Sequence, residues 1–391
     1  MKNVKLISIL ILLFNLWITN SVFAHPDTSI PEVSSKAAIV MDSVTGEILY
    51  EKNSRTQLYP ASLTKIATAI YAIEHGNLDD VVTVSESVEK VEGTKVYLVE
   101  GEQVTLQKLI QGLLINSGND AGVVIAEHLN GSVEQFSEAL NDYLTNQIGV
   151  KHTHFENPHG LFNANHVTTA EDLAIITRYA IQNDTFRDIF GTKELEWDGE
   201  SWDTTLYTHH KLMRENPYEG ITGGKTGFIN ESGHTLATTA ERNHLRLIVI
   251  TLGNDIQQEA YQDHINLLDY GFDHFETSTI PAGTSFEKNN KEFSVEENLY
   301  YTHRKEDQIT HHVTEDGILQ VMNQEDSVLA RFTLEEADHG DGQASSDDEQ
   351  KTNGMFSGYF FLISLSMFTS ILVISRFIRR RKAKNDPSIF R

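Results

Sequence analysis

The chain has 391 residues, 39% of them hydrophobic, enough for one large folded domain and a smaller one. Asp and Glu outnumber Lys and Arg by 56 to 31, and the net charge of -25 argues against a nucleic-acid partner, because phosphate binding needs a positive field. Cysteine is absent, which excludes disulfides, thiol nucleophiles and thiolate metal sites.

At the N-terminus, Lys2 and Lys5 are followed by an apolar run over 6–18 and the stretch Val22-Phe23-Ala24. This is the pattern of a secretory signal peptide, expected to occupy 1–24 and to be removed. Residues 36–52 read as two short strands joined by a turn at 43–46. A helix is expected over 61–75, with Pro60 near its start and Gly76 just after it. Further helices are expected at 107–114 and 120–129, flanking the break Asn116-Ser117-Gly118-Asn119, and at 133–146. Thr168 and Glu171 fit a capping box for a helix over 170–182. Beyond Gly227, residues 235–240 and 245–252 are β-rich and separated by a turn at 241–243, as adjacent antiparallel strands would be. A closing helix over 256–268 is expected to stop at Tyr270-Gly271. This order of elements implies an α/β (α+β) domain over 27–275, with helices packed on a sheet.

Residues 277–333 carry short strand patterns at 293–295, 299–302, 318–322 and 328–334, and read as a small β-rich domain. The acidic segment 334–354 reads as a flexible tether. Residues 355–375 are uncharged and long enough to span a bilayer as a helix. The basic cluster Arg376, Arg379, Arg380, Arg381, Lys382 and Lys384 lies in the tail 376–391, expected to stay cytoplasmic. The layout expected is a single-pass protein of the bacterial cell membrane with its folded part extracellular.

Ser62 and Lys65 stand three residues apart, so both side chains fall on one helix face. A serine hydroxyl is a weak nucleophile until a base takes its proton, and a buried lysine can lose enough basicity to serve. Alone the spacing is common. Two further elements give it weight: Ser117-Gly118-Asn119 at the break between helices, and Lys225-Thr226-Gly227 before the β-rich region. S-x-x-K, S-x-N and K-T-G in this order form the signature set of penicillin-recognising serine enzymes.

With these motifs the sequence resembles the serine D-alanyl-D-alanine carboxypeptidases, the low-molecular-weight penicillin-binding proteins. The resemblance covers about residues 33–275. It includes YPASLTKIATA (59–69), GEQVTLQKLIQGLLINSGNDA (101–121), FENPHGL (155–161), TTAEDLAII (168–176), GGKTGFINESG (223–233) and LLDYGF (267–272). It implies a β-lactamase/transpeptidase-like fold with helices on an antiparallel sheet. It also implies peptidoglycan stem peptides ending in D-Ala-D-Ala as substrate, β-lactams as covalent inhibitors, and no cofactor or metal. Carried over by position, Ser62 is the nucleophile, Lys65 its base, and Ser117 a bridge from Lys65 to the leaving nitrogen. Asn119 would bind the substrate backbone, and Lys225 and Thr226 its carboxylate. The N–H groups of Ser62 and Phe228, beside Gly227, would form the oxyanion hole.

Two positions depart from the family pattern. Ile229 stands where many members have Thr, and residues 254–266 offer only His264 where a basic residue is common. His152, His154, His159, His209-His210 and His311-His312 read as polar loop or surface residues, with His159 a candidate for ordering the cleft. The alternatives are a β-lactamase or transpeptidase of the same superfamily and a non-catalytic cell-wall binding protein. A β-lactamase would need a water-activating glutamate that the sequence does not reveal. A binding protein would need none of the three motifs.

Overall fold

Residues Ala37–Asp42 and Ile48–Lys52 form strands β1 and β2, as their patterning leads one to expect. The structure is a computed structural model and describes residues 30–337. The expected signal peptide, membrane span, basic tail and most of the tether lie outside the described residues. Among the described residues no helix is long and apolar enough to cross a membrane.

With β3 (Ile221–Ile229), β4 (Gly233–Arg242) and β5 (Leu245–Asn254), the first two strands make a five-stranded sheet in the order β2-β1-β5-β4-β3. Every pairing in it is antiparallel. All of β1 is buried, because both faces of the sheet are covered. Its alternate residues Ala37, Ile39 and Met41 join the main helical core, while Ala38 and Val40 pack with Leu267 and Leu268 on the other face.

The main core is built by α1 (Thr64–His75), α2 (Leu106–Ile115), α3 (Asn119–Asn130), α4 (Val133–Tyr143), α5 (Ala170–Ala180) and α6 (Asp184–Phe190). The second face is covered by α7 (Gln257–His274).

Several local expectations shift. Ser62 does not lie in the α-helix: Ala61–Leu63 form a 3₁₀ turn leading into α1. The i,i+3 relation survives because a 3₁₀ turn brings such side chains into line. The cap of α5 is Thr169, whose Oγ1 accepts the Asp172 N–H at 3.0 Å, while Thr168 pairs with Thr153. Helix α7 runs through Tyr270-Gly271 to His274. Gly271 there serves packing rather than termination: a Cβ on it would lie 2.6 Å from Leu247. The β4–β5 turn has Asn243 and His244 both at positive φ, 49° and 69°, the twist-matched form of a tight hairpin.

The β-rich region has its own core of Ile280, Phe293, Val295, Tyr301, Val313, Leu319, Val321 and Leu334. Ordered pairing continues past residue 333, where a tether was expected: Glu335–Glu336 pair with Phe293 and Ser294. This region docks on the sheet domain through Asp42, which is fully buried. The Asp42 carboxylate accepts hydrogen bonds from Thr277 Oγ1 at 2.6 Å, Thr302 Oγ1 at 2.7 Å and Val44 N–H at 2.8 Å. Asp42→Ala removes the acceptor of Thr277 Oγ1 and leaves Thr302 Oγ1 with Thr45 Oγ1 alone, 2.6 Å away. It should lower stability by about 1–3 kcal/mol, seen as an earlier urea midpoint, and free the β-rich region to earlier proteolysis.

Candidate active site

Pro60 has no N–H to donate, and the next residue, Ala61, is turned into the left-handed region at φ 48°. Such a residue costs about 1–3 kcal/mol and persists only where its surroundings hold it. The hold on Ala61 is visible. Glu156 N–H donates to His166 Nδ1 at 3.0 Å, which leaves the ring proton on Nε2. That nitrogen donates to Thr64 Oγ1 at 2.8 Å, and the Thr64 hydroxyl donates to the Ala61 carbonyl at 2.8 Å. Burial keeps the His166 imidazole neutral, pushed down to about 3. From the third side, Thr235 Oγ1 of β4 donates to the Pro60 carbonyl at 2.9 Å.

Lys65 is fully buried under this turn. Its Nζ lies 2.8 Å from Ser62 Oγ, 2.7 Å from Asn119 Oδ1 and 2.8 Å from the His159 carbonyl. Burial above all, and then the Lys225 cation, hold its ammonium well below the usual lysine range, with buried Asp120 pulling the other way. Once it has lost its proton, this amine has two N–H groups and one lone pair. The two carbonyl oxygens, which can only accept, take the two N–H groups, and the lone pair is left facing the Ser62 hydroxyl.

The His159 carbonyl is aimed by the 155–161 loop. Asn157 Oδ1 accepts from the N–H groups of His159 at 3.2 Å and Gly160 at 2.7 Å. Gly160 sits at φ 86°, and a Cβ there would overlap the Ala61 carbonyl. His159 thus does order the cleft, through its backbone carbonyl and through its ring, whose Nδ1 accepts the Leu161 N–H at 3.2 Å.

Asn119 opens α3 and is tied down by its Nδ2 donating to the Glu92 carbonyl at 2.7 Å. Ser117, at φ 64°, lies in the short break between α2 and α3 and is buried. It does not bond to Lys65 here, because the three positions around Nζ are already occupied. The next residue after Asn119, Asp120, clamps the facing loop by accepting Val96 N–H at 3.0 Å and Leu98 N–H at 3.1 Å.

Lys225, Thr226, Gly227 and Phe228 run along β3, the edge strand of the sheet. Gly227 lets β3 approach the nucleophile: a Cβ there would lie 2.7 Å from Ser62 N. Lys225 is buried, and burial pushes its ammonium down to about 7.

Of the motif residues named from the sequence, Ser62, Lys65 and Asn119 are joined by hydrogen bonds, Gly227 approaches Ser62 N and Lys225 acts on Lys65, while Ser117, Thr226 and Phe228 are next to these along the chain. His264 does not join them. It is buried between Thr238 Oγ1 at 2.8 Å and Thr251 Oγ1 at 2.9 Å. Arg246 pairs with Glu241 at the far end of β4 and β5. His210, read as a polar surface residue, is fully buried with Nε2 2.8 Å from Thr238 Oγ1. Its neighbour His209 senses both lysines: burial first, then Lys225 and Lys65, push it down to about 4. His166 and Thr235 carry no motif spacing and were not legible. Asp120 was not singled out either, although it adjoins Asn119.

A serine aligned on a buried lysine of lowered basicity, on an antiparallel sheet flanked by helices, is the arrangement of a serine–lysine acyl-transfer enzyme. The matching family profile is that of the S11 peptidases, D-alanyl-D-alanine carboxypeptidase, over residues 24–256. The chain is 32% identical over 283 residues to D-alanyl-D-alanine carboxypeptidase DacF of Bacillus subtilis, covering 70% of this chain and 71% of that one. It is 33% identical to DacA of Haemophilus influenzae over 69% of this chain and 68% of that one. Among solved structures it is similar to penicillin binding protein 5 of Haemophilus influenzae, with a TM-score of 0.70, 26% identity, and 79% and 98% of the two chains covered. It is also similar to penicillin binding protein 6B of Escherichia coli, with a TM-score of 0.67, 29% identity, and 79% and 98% covered. The chain belongs to the D-alanyl-D-alanine carboxypeptidase family of serine peptidases.

The low Lys225 value has a stability consequence. The folded value, about 7, lies below the ordinary 10.5, so between them the unfolded chain binds the proton and the folded chain does not. Stability is therefore lost as pH falls from 10.5 to about 7, and the cost is full below that. Lys225→Met removes the cost. It should be more stable than the parent by about 2–5 kcal/mol near neutral pH, with the difference closing toward pH ~10 in paired urea titrations.

Proposed function

We propose that this protein removes the terminal D-alanine from peptidoglycan stem peptides through an acyl-enzyme on Ser62, and that penicillin acylates the same oxygen. The observation that carries this reading is the Lys65 environment: two acceptors fix its N–H groups and leave its lone pair 2.8 Å from Ser62 Oγ.

Ser62 Oγ attacks the carbonyl carbon between the two terminal D-alanines while its proton passes to Lys65 Nζ. The oxygen that gains charge is held by the N–H groups of Ser62 and Phe228, which the close approach at Gly227 brings together. The C–N bond then breaks. The Ser117 hydroxyl relays the proton from Lys65 to the departing amine, and D-alanine leaves. Water attacks the resulting ester, its proton goes to Lys65, and Ser62 is restored. The substrate lies along β3, where an extended peptide finds backbone partners at a sheet edge. The remaining Asn119 amide hydrogen binds its backbone. Lys225 and Thr226 take its terminal carboxylate, with Ile229 leaving no second hydroxyl there.

The proposed placement is extracellular. The secretory pattern at 1–24 supports export, and the uncharged run 355–375 with the basic tail 376–391 supports a single membrane anchor. The catalytic domain is then 27–275, followed by the β-rich domain from 277 and an acidic spacer.

Incubating the protein with a fluorescent penicillin, and separately with diacetyl-Lys-D-Ala-D-Ala, tests the reaction. Covalent label and D-alanine release are both expected and both disappear in Ser62→Ala. Lys65→Met should slow acylation by about 10²–10⁴-fold while leaving the fold intact by circular dichroism. Label that survives Ser62→Ala, or none on the parent, refutes the acyl-enzyme. Rapid penicillin turnover without D-alanine release identifies a β-lactamase instead.

A further inference from the structure

Two large aromatic rings stand exposed beside Ser62, and the reaction as derived gives neither ring a role. Phe228 is 54% exposed and Phe162 is 51% exposed. Each follows a glycine that packs against the Ala61–Ser62 turn. Strand β3 touches Ser62 N at Gly227, with Phe228 the next residue. Gly160 lies against the Ala61 carbonyl, with Phe162 two residues on. Both rings are braced from behind: Phe162 meets Tyr59 edge-on at 5.3 Å, and Phe228 lies over His234 at 4.6 Å. A braced ring loses little freedom when it makes a contact, and apolar surface held open at a cleft mouth marks a binding surface.

The strand direction says which part of the substrate meets them. Its carboxylate lies at Lys225 and Thr226 and its reacting carbonyl beside Phe228 N–H. An extended chain following the edge of β3 therefore carries its acyl portion past the Phe228 ring. The charges nearby favour an uncharged group. Lys65 and Lys225 lie beneath the cleft floor, and Lys211 acts on His234. Exposed rings attract an ammonium by only about 0.5–1 kcal/mol, and Lys211 together with the partly charged Lys225 opposes it. The nearest carboxylate along β3, Glu231, stands exposed in the turn beyond it.

We propose that Phe162 and Phe228 clamp the acyl side of the substrate and select stem peptides whose residue before D-Ala-D-Ala carries an uncharged, acylated side chain over those with a free ammonium. The inference rests on the acyl-enzyme reading above. The test compares acylation of the full chain by benzylpenicillin, which has an uncharged phenylacetyl group, and by 6-aminopenicillanic acid, which has a free ammonium. The parent should favour benzylpenicillin. The ratio of the two second-order rate constants should fall about fivefold in Phe162→Ala and in Phe228→Ala, and return in Phe228→Leu. A merely structural loss would slow both compounds alike and leave the ratio unchanged. The parent should also release D-alanine faster from diacetyl-Lys-D-Ala-D-Ala than from the peptide with a free lysine ε-amine, a comparison that needs no variant. An unchanged ratio in both alanine variants, or equal rates on the two peptides, overturns the clamp while the acyl-enzyme stands. No acylation by either β-lactam overturns both.

Discussion

The chemistry of the cleft depends on lowering the basicity of one lysine amine inside the protein. In water an amine like Lys65 would be charged near neutral pH, and a charged amine has no lone pair for a serine proton. Full burial removes the hydration that favours the charge, and Lys225 on the neighbouring strand adds repulsion. The same burial makes position critical, since each N–H must find an acceptor. Asn119 and the His159 carbonyl supply these, so the base, the second motif and the 155–161 loop form one hydrogen-bonded unit.

Burying two lysines in one desolvated cleft works against folding, and the surrounding structure offsets that cost. The sheet is covered on both faces, and the main core extends from β1 through the helical layer to Trp197 and Leu206. Asp120 lies fully buried beside the lysines, yet its oxygens are occupied by backbone N–H groups of the facing loop. It lends negative charge without competing for the Lys65 hydrogens, so the amine remains directed at Ser62.

Much of this was legible in the sequence because chemistry and folding demanded the same residues. Ser62 and Lys65 must share a face, and short β-rich runs marked β1, β4 and β5. The edge strand β3 was not seen as a strand: Gly223, Gly224 and Gly227 look like a turn, and small residues are there so that other groups can come close. Gly271 misled for the same reason, as it admits Leu247 rather than ending α7. The buried His210 was misread, and His166 was passed over, because hydrogen bonds made far along the chain decide their place. His166 is buried by its partners Thr64 and Glu156, and His210 by Thr238. Composition alone assigns such residues to the surface.

The two strained residues show why the site cannot exist in part. Ala61 and Ser117 both have positive φ, at 48° and 64°, a conformation that neither residue favours by itself. Ala61 is held by Thr64 and His166, and Pro60 by Thr235 of β4. The loop facing Ser117 is held by Asn116, whose Nδ2 donates to the Lys95 carbonyl at 2.9 Å, and by Asn119 and Asp120. These holds come from segments far apart in sequence: the turn before α1, the loop after α4, the break before α3 and the sheet edge. None fixes its strained residue until the others have docked. Reactivity of Ser62 therefore reports completion of the whole catalytic fold, and a chain lacking the β3–β4 edge would keep every S-x-x-K atom without an aligned nucleophile.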